Sequence, residues 1–241
     1  MEEPLRQLIE AARTLDWRPL WISLKTGVLA TAVCFVLGIL AAWRVMYCRG
    51  KHRSVLDAVL TLPMVLPPTV AGFFLLLFFS RRRPLGIFLF DHFGIKIVQS
   101  QAGCVIAASV IAFPLMYRSA RAAFEQVDIN LLYAGRTLGM TDSEIFFKVI
   151  LPCARPGITS GTVLAFARAI GEYGATSMLA GNIPGKTATI SQRIAMVIQD
   201  QDYITAGVWV AVMLVIALIV LAAIGHISLR SDAGRGEQLW K

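Results

Sequence analysis

Charged residues are scarce in this chain of 241 residues. Asp, Glu, Lys and Arg make up 16% of it, whereas 56% of the residues are hydrophobic. A soluble domain carries about 25% charged residues. The composition therefore excludes an ordinary soluble domain and predicts an integral membrane protein.

Cysteine is equally sparse. The four cysteines are scattered, without a CxxC pair or a nearby histidine, at Cys34, Cys48, Cys104 and Cys153. This spacing favours small buried side chains over a metal site or a disulfide framework. We expect no metal and no cofactor.

Motifs for catalysis or nucleotide binding are also missing. Residues 181–187 (GNIPGKT) resemble a phosphate-binding loop, but that motif needs a glycine five positions before Gly185, where the chain has Ala180. No nucleophile triad, zinc site or paired-carboxylate site is recognisable. We therefore expect a protein that is not an enzyme, and if ATP drives it, ATP binds to another chain.

The net charge of +8 comes mainly from basic residues in loops and at the ends of apolar segments. Basic residues in these positions meet lipid headgroups. We therefore expect membrane lipid as a partner and not nucleic acid. Residues 1–19 contain four acids and three arginines without an apolar core, so no cleavable signal peptide is expected there.

Long apolar runs predict an all-α, polytopic membrane protein with about five transmembrane helices. An amphipathic pattern at residues 4–16 predicts a helix on the membrane surface within an N-terminal interfacial segment, 1–19. The membrane domain covers 20–229, with loops at 81–99 and about 181–205, and a polar tail follows at 230–241. The predicted spans are 20–42, 58–79, 102–117, 157–180 and 206–229.

Two spans carry residues that are unusual in hydrocarbon. The second contains Pro63, Pro67 and Pro68, followed by Thr69, and each proline removes a backbone donor. Such a broken helix is tolerated where it borders a water-filled cavity or is buried in protein. It therefore either lines a translocation pathway or is a kink that only shapes the helix bundle.

The fourth span contains Arg168 and Glu172, four residues apart and hence on one helical face. A charge at the centre of a membrane helix costs about 2.5–3.5 kcal/mol on the insertion scale. Two interpretations stay open. Either the two residues form a buried structural pair, or Arg168 faces a pathway and Glu172 limits its attraction for an anion.

Residues 118–156 predict a protruding hairpin of two short helices. A helix at 131–138 can end at Gly139, and Thr141 with Glu144 fits a capping box before an apolar stripe that stops at Pro152. Such a hairpin exposes apolar side chains unless another protein covers them, so it predicts a docking surface.

The hairpin resembles the cytoplasmic coupling signature of bacterial importer permeases, Glu-Ala-Ala, three residues, Gly, nine residues, Ile-x-Leu-Pro. The spacing matches throughout, with Tyr133, Gly135 and Val149 as departures. The resemblance implies contact with an ATPase, without the salt bridge that the glutamate would make. The expected coupling residues are Tyr133, Ala134, Gly135, Gly139, Glu144, Phe146, Val149, Leu151 and Pro152.

Three further stretches resemble the molybdate permease family of ATP-binding-cassette (ABC) transporters: 62–70 (LPMVLPPTV), 164–176 (LAFARAIGEYGAT) and 180–187 (AGNIPGKT). The second is shared with sulfate permeases, and the third favours molybdate or tungstate over sulfate or thiosulfate. The resemblance implies a homodimer, two ATP-binding cassette ATPase subunits and an extracytoplasmic oxyanion-binding protein. It also implies the prokaryotic inner membrane, with the N-terminus outside and the C-terminus in the cytoplasm.

A rival hypothesis is an ATP-independent secondary anion transporter or channel, which needs no partner. This class predicts an internal repeat. The five unequal spans show no such repeat, and the hypothesis leaves the hairpin unexplained.

Overall fold

The computed structural model describes residues 15–48 and 50–236, with side chains as far as residue 223. The surface helix predicted at 4–16 lies outside these residues, apart from its last two positions. Within the described residues the fold is all-α, as predicted. Its elements are α1 Arg18–Tyr47, α2 Lys51–Val65, α3 Pro68–Phe79, α4 Pro84–Phe93, α5 Gln101–Glu125, α6 Ile129–Thr137, α7 Asp142–Ile145, a π-helical segment Phe146–Ile150, α8 Leu151–Cys153, α9 Arg155–Ile170, α10 Gly174–Ala180, α11 Ile190–Gln199 and α12 Tyr203–Gly236.

In the part of the chain that the structure describes, three helices are long and apolar enough to cross a membrane: α1, α5 and the Tyr203–Ala223 part of α12. Two bent helix pairs bring the number of spans to as many as five, which agrees with the predicted count. The first pair is α2 and α3, bent by 108°, and the second joins Asp142–Cys153 to α9 with a bend of 71°.

The second predicted span, 58–79, is broken as expected, but the bend is far larger than a kink. Leu66 and Pro67 are both extended, with ψ of 140° and 134°. Each precedes a proline, whose ring disfavours the helical conformation at the residue before it. Two successive residues of this kind turn the chain, whereas Pro63 lies inside α2 without ending it.

Several predicted boundaries are wrong. Residues 84–93 and 190–199, predicted as loop, are helical. The third span extends to Glu125, so residues 118–125 belong to α5 and not to the hairpin. The polar tail predicted from residue 230 is helical as far as Gly236.

The fourth predicted span, 157–180, is not one helix. It is interrupted at residues 171–173 and resumes as the short helix α10. The helix α11 begins with a capping box formed by Thr189 and Gln192. This pattern in the sequence could have predicted a helix in the region assigned to a loop.

The bundle is centred on α5, which packs against α1 and α9 through small residues. A Cβ added at Gly38 of α1 would lie 2.8 Å from Met116, and one at Gly157 of α9 would lie 2.6 Å from Ala123. Gly157 begins the row of small residues noted in the sequence, and Ala165 and Ala169 in that row are buried. Small residues allow close backbone approach, which is how membrane helices gain packing energy.

Candidate functional site

The two chain breaks that the sequence marked separately lie against each other in the structure. Gly174, at the start of α10, faces the break between α2 and α3. A Cβ at this position would be 3.1 Å from Pro68 Cβ and 3.2 Å from the Thr69 backbone nitrogen. The folded chain thus brings Pro68 and Thr69, at the first break, beside the start of α10 at the second break.

Arg168 and Glu172 form an ion pair, with 2.7 Å between Arg168 Nη1 and Glu172 Oε2. The other carboxylate oxygen, Oε1, accepts a hydrogen bond from the backbone N–H of Ala175 at 2.8 Å. Glu172 therefore joins the end of α9 to the first turn of α10. It lies in the break and not on a continuous helix.

The two partners differ in exposure. The Glu172 side chain is 2% exposed and that of Arg168 is 33% exposed. Both carboxylate oxygens are occupied, which satisfies a charge that would otherwise be costly to bury. The guanidinium keeps donors that Glu172 does not use, since Arg has five N–H groups.

The predicted proline positions have different surroundings. Pro67 and Thr69 are exposed, and Pro63 and Pro68 are half-buried. In the described residues α2 buries none of its side chains. The bent segment is therefore accessible on the side that faces away from α10.

The hairpin has the geometry that the sequence predicted. Gly139 has φ of +77°, which favours glycine, and Met140 N–H donates to Gly135 O at 3.0 Å, so α6 closes at this turn. The capping box is formed in both directions between Thr141 and Glu144. These contacts hold α7, the helix after the turn, in a defined direction relative to α6.

Hydrogen bonds keep Glu144 ionised. Thr141 N–H donates to its carboxylate at 3.0 Å, and Lys148 Nζ lies 2.9 Å from the other oxygen. The Thr141 backbone N–H is the larger cause and the Lys148 ammonium adds to it, and together they lower the pKa of Glu144 from 4.5 to about 2. The cap is therefore charged at any physiological pH.

The expected coupling residues are divided between surface and interior. Tyr133, Ala134 and Gly139 are exposed. Leu138, which was not among the expected coupling residues, is 81% exposed. Glu144, Val149, Leu151 and Pro152 are half-buried. Gly135 is buried, with only about 3.0 Å between an added Cβ and Ile145.

Phe146 does not lie on the docking surface where the sequence placed it. It is 2% exposed, stacks on Trp43 with 4.6 Å between ring centroids, and meets Phe124 edge-on at 5.4 Å. The neighbouring Phe147 is 59% exposed. The π-helical turn at 146–150 shifts the register of side chains relative to an α-helix, and sequence periodicity does not show such a turn.

A groove of about 370 Å³ separates the hairpin from the end of α1. Apolar side chains line most of it, and Arg136 and Asp142, both on the hairpin, form an ion pair at 3.2 Å in its lining. Its lining includes Met46, Tyr47, Leu132, Tyr133, Ile145 and Ile150. The hairpin thus presents an apolar surface with a polar bridge, which is the composition of a protein-binding surface.

Residues 35–230 match the family model described as binding-protein-dependent transport system inner membrane component. The chain belongs to this family. Membership confirms the predicted class, a membrane-spanning transport permease and not an enzyme.

Named relatives of this permease are similar over most of its length. It is 46% identical over 184 residues to the molybdenum transport system permease protein ModB of Escherichia coli K12, covering 76% of this chain and 80% of that one. It is 34% identical to the putative molybdenum permease YvgM of Bacillus subtilis, covering 84% and 89%. It is 32% identical to the sulfate permease CysT of Salmonella typhimurium, covering 96% and 87%.

Solved structures show the same fold. A chain of the inward-facing MetNI methionine ABC transporter matches with a TM-score of 0.61 at 19% identity, covering 97% of both chains. A chain of a bacterial ABC transporter for the acidic polysaccharide alginate matches with a TM-score of 0.70 at 16% identity, covering 88% of this permease and 78% of that chain. Both matches support the fold described above.

Sequence reasoning missed one polar cluster of the permease. Arg121 on α5 pairs with Asp57 on α2 and with Glu125 at 3.0 Å, and Tyr117 Oη donates to Asp57 at 2.8 Å. Arg53 on α2 also pairs with Glu125. Each helix carries an Arg and an acid four residues apart, a spacing that could have indicated the cluster. It attaches α2 to the helix that leads into the hairpin.

Proposed function

We propose that this chain is the permease subunit of an ATP-driven importer of tetrahedral oxyanions, with molybdate as its cargo. The observation that carries the choice of cargo is the difference in similarity, 46% identity to a molybdenum permease against 32% to a sulfate permease. The sequence motif at 180–187 supports the same choice.

We infer that two copies of the chain form the membrane part of the complex. An ATPase subunit would bind each hairpin, and an extracytoplasmic protein would deliver the anion. The exposed apolar side chains of Tyr133, Leu138 and Phe147 support an ATPase contact at the hairpin, because such residues are rarely left in water together. With the hairpin in the cytoplasm and five spans, the N-terminus would be outside and the C-terminus inside.

We place the translocation pathway along the two adjoining breaks. α3 begins at Pro68, so the positive end of its helix dipole lies at the break, which favours an anion. Arg168 is the cation that we expect to meet the cargo. Glu172 offsets part of its charge, which would keep the anion from being held too tightly to leave.

The energy would come from the ATPases. ATP binding would bring them together and move the hairpins, and hydrolysis would reset them. The cluster of Phe146 with Trp43 and Phe124 connects each hairpin to α1 and α5, so movement of the hairpin would reach the helices of the bundle.

The test is molybdate uptake by proteoliposomes that contain the permease, its ATPase and its binding protein. We expect uptake that needs ATP and the binding protein and that is unaffected by excess sulfate. Uptake unchanged without the ATPase would contradict the proposal and favour a secondary transporter or channel.

Sulfate or thiosulfate is the second candidate cargo, because the sulfate permease relatives cover 96% of the chain in one case. The same uptake assay with labelled sulfate separates the two. Strong competition by sulfate would support this candidate, whereas competition by tungstate alone would support the molybdate and tungstate class.

A further inference from the structure

A basic cavity lies at the end of α1 that is opposite to the hairpin. Its volume is about 220 Å³, and three separate parts of the chain line it. α1 contributes Arg18, Trp21, Ile22 and Lys25, the start of α5 contributes Gln101, and the loop before α11 contributes Gly185 and Lys186. Three cationic side chains therefore meet around one small space.

The loop is shaped to approach Arg18 closely. Gly185 has φ of +72°, and a Cβ there would lie 3.3 Å from Arg18 Nη1. Ile183 O accepts from the backbone N–H groups of Lys186, Thr187 and Ala188 at 3.0 to 3.1 Å. This compact turn holds Lys186 beside α1.

The positive charge of the cavity is only partly balanced. Asp16 lies 3.8 Å from Arg18. Among the described side chains, residues 15–48 and 50–223, no carboxylate lies within ion-pair distance of Lys25 or Lys186. Within this part of the chain, the cavity thus has more positive than negative charge.

Its position is that of the membrane interface. Trp21 is 65% exposed and Trp17 is 43% exposed, and tryptophan is enriched at headgroup level. Lys25 lies seven residues beyond Arg18, which is about 10 Å along the helix. From this depth the long side chain of Lys25 reaches the headgroup level, where anionic groups lie.

We propose that this cavity binds a phosphate-type tetrahedral oxyanion group, held by Arg18, Lys25 and Lys186 with Gln101 as a further donor. Such a group is present in an anionic phospholipid headgroup and in a free oxyanion. The proposal is independent of the transport cycle and assigns a site away from the two breaks.

Binding is measured on the purified complex in neutral detergent, without ATP or binding protein. The probes are short-chain phosphatidylglycerol, short-chain phosphatidylcholine, inorganic phosphate and molybdate. The signal is the fluorescence of Trp21, with Trp21→Phe as the blank. We expect phosphatidylglycerol to change the signal and phosphatidylcholine to change it far less.

The variant Lys25→Gln/Lys186→Gln should weaken this binding roughly 30-fold, because each cation near the surface contributes about a fivefold factor. Lys96→Gln is the matched control, since it removes an exposed lysine that does not line the cavity. Arg18→Gln provides a second variant at the site if the double variant does not fold.

The lipid and the free oxyanion are distinguished by their probes. A Trp21 signal from phosphatidylglycerol assigns the site to lipid, and one from phosphate or molybdate alone assigns it to a free oxyanion. The proposal is overturned if no anionic probe changes the signal, if the site variants bind as the wild type does, or if Lys96→Gln weakens binding equally.

Discussion

Gly72 of α3 packs directly on Ala175 of α10, so closely that a Cβ at residue 72 would lie 2.6 Å from the Ala175 Cα. Backbone faces backbone at this contact, and no flexible side chain can move aside. The contact holds the two bent segments together beside the proposed pathway.

Gly72→Ala should therefore destabilise the permease by about 1–3 kcal/mol, the usual cost of overpacking. Thermal unfolding of the purified protein measures the effect. Gly171→Ala is the control, because its Cβ would lie 3.6 Å from Ala167 O, an ordinary contact. Equal stability of the two variants would contradict the close packing described.

Removing either partner of the Arg168–Glu172 pair should have unequal effects. Arg168→Gln leaves a carboxylate that is 2% exposed without its cation, whereas Glu172→Gln leaves a guanidinium that is one-third exposed. We expect Arg168→Gln to lower the free energy of unfolding by about 3 kcal/mol and Glu172→Gln to lower it clearly less.

The double variant Arg168→Gln/Glu172→Gln should recover part of the loss, because no charge is then buried alone. Denaturation in detergent measures all three variants. An additive double variant would show that the two side chains are not energetically coupled.

The attachment of α2 to α5 should depend on Arg121. α2 buries none of its side chains in the described residues, so its ion pairs and the Tyr117 hydrogen bond are major contacts. Arg121→Gln should raise amide hydrogen exchange of residues 51–65 by about fivefold or more, equivalent to about 1 kcal/mol of local stability.

Arg118→Gln is the matched control for Arg121→Gln. Arg118 lies beside the same cluster but forms none of its ion pairs among the described residues. Similar exchange in both variants would show that the general loss of positive charge, and not the specific pairing, is responsible.

Phe146 and Phe147 should separate folding from docking. Phe146→Ala removes a buried ring that stacks on Trp43 and should cost about 3–5 kcal/mol of stability. Phe147→Ala removes a ring that is 59% exposed, so stability should change little, whereas binding of the ATPase should weaken.

Thermal unfolding and co-purification with the ATPase measure the two effects of the phenylalanine variants. Loss of ATPase binding in Phe146→Ala without loss of stability would contradict the interior role of that ring. If Phe147→Ala binds the ATPase as well as the wild type does, Phe147 is not part of the docking surface.

The hairpin cap should weaken in acid. The Thr141 N–H and Lys148 hold the pKa of Glu144 at about 2, below its ordinary value of 4.5. A lowered pKa contributes stability above the ordinary value that is lost as the pH falls from about 4.5 to about 2. The protection of residues 141–148 from hydrogen exchange, relative to the intrinsic rate at each pH, should therefore fall as the pH falls through this range in the wild type, and Glu144→Gln should lack that step.

Local patterns in the sequence were enough to predict the fold class and several structural elements. Apolar runs predicted the all-α membrane fold because their length matches the hydrocarbon thickness. Gly139 and the Thr141–Glu144 capping box predicted the hairpin, since turn and cap chemistry act over a few residues. The prolines at 67 and 68 predicted the first break for the same reason.

The second break was not predicted. Gly171 and Gly174 lie on either side of Glu172, yet the apolar run continues through them. A span predicted from hydropathy therefore extends across residues 171–173, where the helix is interrupted. The break is held by a contact between Glu172 and Ala175 and by the close fit of α10 on α3. The fit of α10 on α3 joins residues about 100 positions apart, Gly72 and Ala175.

The chain by itself determined which segments enter the membrane, where the hairpin turns and which charged pair the fourth span carries, because these follow from hydropathy and short-range backbone chemistry. Only the tertiary structure decided that the two breaks adjoin, that Phe146 faces inward and Phe147 outward, and that Arg18, Lys25 and Lys186 surround one cavity. Each of these depends on packing between distant segments, whose geometry no local pattern encodes.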